Sequence, residues 1–242
     1  MNKCAIILAA GKGTRMKTEL PKCAYPFCGK PMVKYIVENC IKCGINDINV
    51  VVGYKKEQIK EVLQDSVSYA VQDQQLGTGH AAMCCEPLLK DKEGLCLVFP
   101  GDMPLVDEEI INNLINIHIN NKNDLTVVTT ILDDPGAYGR MYRENGLIKK
   151  IVEFKDATEE QKAIKEVNSG LYCVDIQLMF EALKLIKNNN NSGEYYFTDI
   201  IEILGKEHKI DSYVVEDTYK LAGINDLVTL KEIEEIYLQT KK

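Results

Sequence analysis

Cys4-Ala5-Ile6-Ile7-Leu8-Ala9-Ala10 is an unbroken apolar run of strand length that stops at Gly11-Lys12-Gly13. A strand with no polar face is buried on both sides, which is the habit of parallel sheets covered by helices. The glycines permit a tight turn and let backbone N–H groups approach a ligand closely. Such a turn cradles a phosphate or a base edge, although any strand-to-helix loop can contain one. Arg15 and Lys22 follow, two fixed cations able to hold a triphosphate. The dinucleotide fingerprint G-x-G-x-x-G fails, because Met16 stands where its third glycine belongs, and the P-loop spacing G-x-x-x-x-G-K-[ST] fails as well.

The rest of the chain repeats this strand-then-helix rhythm. Apolar residues at Met32, Val33, Ile36, Val37, Cys40 and Ile41 form a helical stripe that Gly44 closes. A buried strand is predicted over 49–53, a helix over 56–63 and a short strand over 67–71. A helix over 78–89 follows with Thr78 as its N-cap, then a strand over 95–99 and a helix over 108–120. Strands alternating with helices at this spacing predict an α/β fold with a mostly parallel sheet covered on both faces. From about residue 124 strand-like segments dominate, at 125–132, 139–142, 147–153 and 167–174, and predict a smaller β-rich lobe over the sheet edge. A helix over 176–186, a polar loop over 188–193, the apolar segment 197–204, a strand candidate at Val214-Val215 and an amphipathic helix over 227–238 complete the chain.

A chain of 242 residues with 45% hydrophobic content can bury a full core. The net charge of −7 argues against nucleic-acid or acidic-membrane partners, so an anionic substrate must be drawn in by local cations. Residues 1–10 lack the basic start and cleavage site of a secretory signal, and no apolar run approaches a membrane span, which makes the cytoplasm the expected compartment. The nine cysteines are scattered. Cys40-x-x-Cys43 has zinc spacing but no completing pair, and reads as two small core residues.

Ligands of an open parallel sheet collect outside the carboxyl ends of the strands, so the turn after the first strand, Gln72 and the segment after Phe99 should meet in one cleft. The Gln72 amide is suited to reading a base edge, with Gly77 allowing close approach and the Thr78 hydroxyl adding a contact; the competing reading is a capped loop. His80 has no partner in sequence and reads as structural. Asp102, leaving the buried 95–99 strand, has the placement of a Mg²⁺ carboxylate, since Mg²⁺ takes one or two protein carboxylates plus phosphate oxygens. The alternative is a turn aspartate bonded to its own loop.

Leu8-Ala-Ala-Gly-x-Gly-Thr-Arg-Met16, Leu20-Pro-Lys22 and Gly29-Lys-Pro31 together resemble the opening signature of the sugar-1-phosphate nucleotidyltransferases. Gln72-x-x-Gln75-Leu-Gly-Thr-Gly-His-Ala81 is similar to the uracil-recognition segment of UDP-N-acetylglucosamine pyrophosphorylases. Gly101-Asp102-x-Pro104-Leu105 resembles that family's metal loop, and Gly223-Ile224-Asn225 its late G-V-N element. Tyr138-Gly139-Arg140, Ile151-Val152-Glu153-x-Lys155-Asp156-Ala157 and Glu166-Val167-Asn168-Ser169-Gly170 match its sugar-side elements, and Gly193-Glu194-Tyr195-Tyr196-x-Thr198-Asp199 another, to which no role is assigned.

The resemblance runs from Met1 to about residue 228 and is nearest the N-terminal half of the bacterial bifunctional uridyltransferase/acetyltransferases. It implies a nucleotide-diphospho-sugar transferase fold, a Rossmann-like sheet with a sugar-binding lobe. The nucleotide half would span about 1–123, the sugar half 124–228 and a C-terminal helix 229–242. It also implies Mg²⁺-dependent transfer of UMP from UTP to N-acetylglucosamine 1-phosphate. Arg15 and Lys22 would act on the phosphates, and Leu8, Ala9, Ala10, Gly11, Gly13, Gln72, Gly77 and Thr78 would bind UTP. Gly139, Glu153, Lys155 and Asn168 would bind the sugar phosphate, and Asp102 and Asn225 would hold Mg²⁺. The family's hexapeptide β-helix has no counterpart in the sequence, so acetyl transfer and trimerisation through that helix are not expected of it. The other readings are transfer to another sugar 1-phosphate, such as glucose 1-phosphate with UTP or dTTP, and a nucleotide-sugar sensor without turnover.

Overall fold

The computed structural model describes residues 1–240, so the last two positions of the 229–242 segment lie outside the described residues. The opening apolar run forms β1 (Lys3–Ala9). After two short 3-10 turns comes a small hairpin of β2 (Pro26–Phe27) and β3 (Lys30–Pro31), then α1 (Met32–Lys42), β4 (Asp47–Val52), α2 (Lys56–Leu63) and β5 (Ser68–Val71). The predicted 78–89 helix is two pieces, α3 (Thr78–Met83) and α4 (Glu86–Leu89), and the second starts with Pro87 in its first turn. A proline there lacks the N–H that would continue the first helix, so the pattern breaks at Cys84-Cys85. Then come β6 (Leu95–Pro100), α5 (Glu108–Asn120), β7 (Leu125–Ile131), β8 (Arg140–Glu144), β9 (Leu147–Val152), α6 (Glu159–Lys162) and β10 (Glu166–Asp175). The chain closes with α7 (Ile176–Leu183), α8 (Asp199–Leu204), β11 (Ile210–Val214) and α9 (Leu227–Thr240).

One nine-stranded sheet runs β11-β7-β10-β6-β1-β4-β5, with β8 on β10 and β9 on β8. β1 sits near its middle, parallel to β6 and to β4, and β4 is parallel to β5. β10 enters antiparallel to both β6 and β7 and so joins the β-rich segment after residue 124 directly to the parallel part of the sheet. β1 serves two cores at once, as its apolar pattern requires: Ala5, Ile7 and Ala9 face α1, α2 and α5, while Cys4 and Ile6 face α3, α7 and α8. A third cluster of Phe27, Met32, Leu105, Ile224, Leu230 and Ile233 packs α9 against the hairpin and the 223–225 loop.

All nine cysteines are free, and Cys40 and Cys43 are buried. Burial pushes both thiols above their ordinary pKa, in keeping with core residues. Among the described residues no helix is long and apolar enough to cross a membrane.

Candidate active site

The carboxyl ends of β1, β5 and β6 open into a cavity of about 420 Å³. Leu8, Ala10 and Gly11 form its floor, Gln72, Gly77 and Thr78 one wall, and Glu153 and Asn168 the other. Lys22 and Asp102 lie on the same surface. Ala9, expected to contact the nucleotide, turns its side chain into the core and is 2% exposed, because alternate side chains of a strand face opposite ways, so any contact it makes would come from its backbone.

Gly13 acts through Lys22. Its φ of +59° is left-handed, and a Cβ there would lie 2.5 Å from Lys22 Cβ, so only glycine lets the loop close on the lysine stem. The Lys22 ammonium is thereby held against Asp102 Oδ2 and donates to Asn225 Oδ1 at 3.0 Å. Burial is the largest single influence and opposes the charged ammonium, but Asp102 and Cys23 together outweigh it and raise the Lys22 pKa. The Asp102 carbonyl accepts from Ile224 N–H at 3.0 Å, fixing the 223–225 loop beside the end of β6.

Two oxygens from segments far apart in sequence therefore converge on one cation, the Lys22 ammonium. No group of three or more His, Cys, Asp or Glu side chains suited to a metal occurs among the described residues. A divalent ion here would take these two oxygens and complete its shell with phosphate and water, which suits Mg²⁺. Arg15 is exposed, follows Gly13 in the loop and lies near enough to Asp226 to lower its carboxyl pKa, the 228–229 backbone N–H groups contributing more.

Gln72 is 3% exposed, and its backbone N–H donates to Val52 O at 2.8 Å, which fixes it at the end of β5. Thr78 is not the N-cap. Gly77 takes that position, and the Thr78 hydroxyl accepts from Phe197 N–H at 3.0 Å. Gly77 has φ +110°, and a Cβ there would lie 2.5 Å from Tyr195 O. Gly79 N–H donates to Tyr195 O and Tyr195 N–H to Leu76 O, both at 2.8 Å. The 76–79 loop is thus clasped by the 194–198 segment, whose Glu194, Phe197 and Thr198 complete the cavity. The Gly193–Asp199 motif was the only sequence signal for these contacts.

On the opposite wall, Glu153 accepts from the Thr198 hydroxyl at 3.0 Å. Burial raises its carboxyl pKa, with Asp156 and Glu194 adding to the effect. Asn168 sits where β10 slips register between Asn168 and Tyr172, a bulge that aims its side chain at the cavity. Its Nδ2 donates to Tyr172 Oη at 2.7 Å, and its Oδ1 accepts from Gly170 N–H at 3.0 Å. Gly139 lies behind this wall: its carbonyl accepts from Asn168 N–H at 2.9 Å, and a Cβ would meet Ile151 Cγ2 at 2.8 Å. Lys155 lies outside the cavity lining, with its Nζ 3.2 Å from Ser192 Oγ on the 188–193 loop.

A cleft at the strand ends, with a cation seat between a base-sized wall and a carboxylate–amide wall, defines a nucleotide-handling transferase, and the chain belongs to the nucleotidyl transferase family, whose profile matches residues 4–237. It is 48% identical over 237 residues to the bifunctional protein GlmU of Clostridium beijerinckii, covering 98% of this chain and 52% of that protein. It is 45% identical over 236 residues to the bifunctional protein GlmU of Acholeplasma laidlawii, covering 97% and 51%. The chain thus spans about half the length of these curated relatives. Its fold is shared by a putative glucose-1-phosphate thymidylyltransferase of Bacillus anthracis, with a TM-score of 0.78, 24% identity and coverage of 97% of this chain and 94% of that one. A UDP-glucose pyrophosphorylase complexed with UDP-glucose superposes with a TM-score of 0.74 and 22% identity, covering 99% and 100%.

Proposed function

We propose that this chain transfers UMP from UTP to N-acetylglucosamine 1-phosphate, giving UDP-N-acetylglucosamine and pyrophosphate. The observation that carries the reading is the convergence of Lys22, Asp102 and Asn225 between the Gln72 wall and the Glu153–Asn168 wall. The likeness of the 72–81 and 138–170 segments to UDP-N-acetylglucosamine pyrophosphorylases supports the base and the N-acetylated sugar.

An oxygen of the sugar phosphate attacks the α-phosphorus of UTP in line, and the bond to pyrophosphate breaks. The attacking phosphate is already ionised, so the protein needs no general base and contributes by positioning and charge neutralisation. Lys22 and Arg15 neutralise the α-phosphate and the departing pyrophosphate. Leu8, Ala10, Gly11 and Gln72 hold the base. Glu153 accepts from sugar hydroxyls, and Asn168, kept in one rotamer by Tyr172 and Gly170, orients the acceptor. Asp102 and Asn225 would hold Mg²⁺, which when bound neutralises triphosphate charge.

The test is pyrophosphate release in the presence of Mg²⁺, with each of UTP, CTP and dTTP against N-acetylglucosamine 1-phosphate and glucose 1-phosphate. Release with UTP and the N-acetylated sugar is expected. Release with glucose 1-phosphate alone would keep the chemistry and overturn the sugar, whereas tight UDP-sugar binding without release would make the chain a sensor. Asp102→Ala should lower kcat about a hundredfold or more with an unchanged circular dichroism spectrum. Retained turnover would remove Asp102 from the mechanism.

A further inference from the structure

We infer that His80 is a specificity-determining positioning residue: it locks the Gln72 amide so that only its oxygen faces the base. This rests on the placement of the base beside Gln72 given above. Gln72 Nε2 lies 3.0 Å from Gly77 O and 3.1 Å from His80 Nδ1. The Gly77 carbonyl can only accept, so the atom facing it must be the amide nitrogen, which settles the orientation of the amide. An amide NH₂ can only donate. Its second hydrogen therefore points at His80, so Nδ1 is the acceptor and the ring proton sits on Nε2.

Both amide hydrogens are then spent inside the protein, and Gln72 Oε1, which has no partner among the described residues, is left as a pure acceptor on the cavity wall. A pure acceptor pairs with the imide N3–H of uracil and opposes the N3 lone pair of cytosine. Flipping the amide to suit cytosine would set oxygen against the Gly77 carbonyl, losing that hydrogen bond, and would keep the His80 contact only if the ring moved its proton from Nε2 to Nδ1. The frame around the lock is itself fixed. Gly77 O also receives Ala81 N–H at 3.1 Å, and Gly79 N–H is held by Tyr195 O at 2.8 Å, so α3 presents His80 from a pinned first turn.

Leucine and asparagine at position 80 separate the lock from simple packing. His80→Leu fills space without an acceptor, while His80→Asn places a carbonyl oxygen near the position of Nδ1. Dissociation constants for UTP and CTP are measured with Mg²⁺ by titration calorimetry, alongside kcat at saturating UTP. The leucine variant should lose about three- to tenfold of the preference for UTP over CTP, the range of one neutral hydrogen bond, with kcat little changed. The asparagine variant should recover most of it. An undiminished preference in the leucine variant, or equal loss in both, would overturn the lock. If the leucine variant does not fold, the ¹⁵N spectrum of the wild-type ring decides: unprotonated Nδ1 is expected, and a proton there overturns the assignment. Wild-type protein that binds CTP as well as UTP would instead remove the base site itself, a failure visible before any substitution is made.

Discussion

Lys22 holds a position with two incompatible uses. Its ammonium contacts Asp102 Oδ2 and Asn225 Oδ1, the same two oxygens available to a divalent ion, and two cations cannot share a seat of that size. At the partly buried distances involved, ion–ion terms are about 4 kcal/mol, so the exchange has to be driven. A nucleotide would supply that drive under the proposed function, since its phosphates would offer the ammonium a new anion and the metal further oxygens. Without nucleotide, the lysine should suppress metal binding. Lys22→Met should therefore raise Mn²⁺ affinity, read by electron paramagnetic resonance in the absence of UTP, by about tenfold or more, or about 1.4 kcal/mol. The same substitution should lower kcat with UTP present. Equal Mn²⁺ affinity in the two proteins would show that lysine and metal do not compete for these oxygens.

Among the elements, the 194–198 segment does more than its sequence advertises. It donates Phe197 N–H to the Thr78 hydroxyl and Tyr195 N–H to Leu76 O, and it places Thr198 on Glu153. It thereby ties the Gln72–Thr78 wall to the Glu153–Asn168 wall. Thr78→Val keeps the shape of the side chain and leaves the Phe197 N–H without a partner, at a cost of about 1–3 kcal/mol. The melting temperature should fall, and the KM for the sugar phosphate should rise although residue 78 stands on the base side. Thr78→Ser should restore both; a KM change confined to UTP would break the proposed tie. The same contact marks the limit of what the sequence discloses. The period and glycine punctuation of 4–13, 32–44 and 95–102 place β1, α1 and β6 within a residue or two, because the forces that set them are local. Thr78 before a helix reads equally as a cap, since its true partner is 119 residues away. The same holds for β11, which starts at Ile210, ahead of the Val214-Val215 candidate, because it is fixed by parallel register with β7. Lys155 carries a charge whose direction depends on where the 188–193 loop lies, and no local pattern encodes that.

At the scale of the whole molecule, β10 runs against its neighbours through the middle of the sheet and so makes one body of two halves, while α9 braces the 223–225 loop from outside, with Glu234 Oε1 accepting from Cys28 N–H at 2.5 Å. Joining the halves concentrates acid behind the Glu153–Asn168 wall. Asp199 opens α8 beside Glu153, Asp156 and Glu202, and burial first, then those three carboxylates, pushes its pKa from 3.8 up to about 6. Glu153 is raised in the same direction. A carboxyl whose pKa is higher folded than unfolded keeps a proton that the unfolded chain has already released, so stability declines as pH rises from 3.8 to about 6 and then levels off. Asparagine at this position has no proton to lose and removes one of the repelling charges. Asp199→Asn should therefore shift the urea midpoint upward relative to wild type above pH 6, with the advantage shrinking as pH falls through the 3.8-to-6 window. Urea melts on either side of that window read it directly. A stability difference that stays constant across the window would mean that the acidic wall carries no folding penalty, and that the carboxylates beside Glu153 are relieved by solvent.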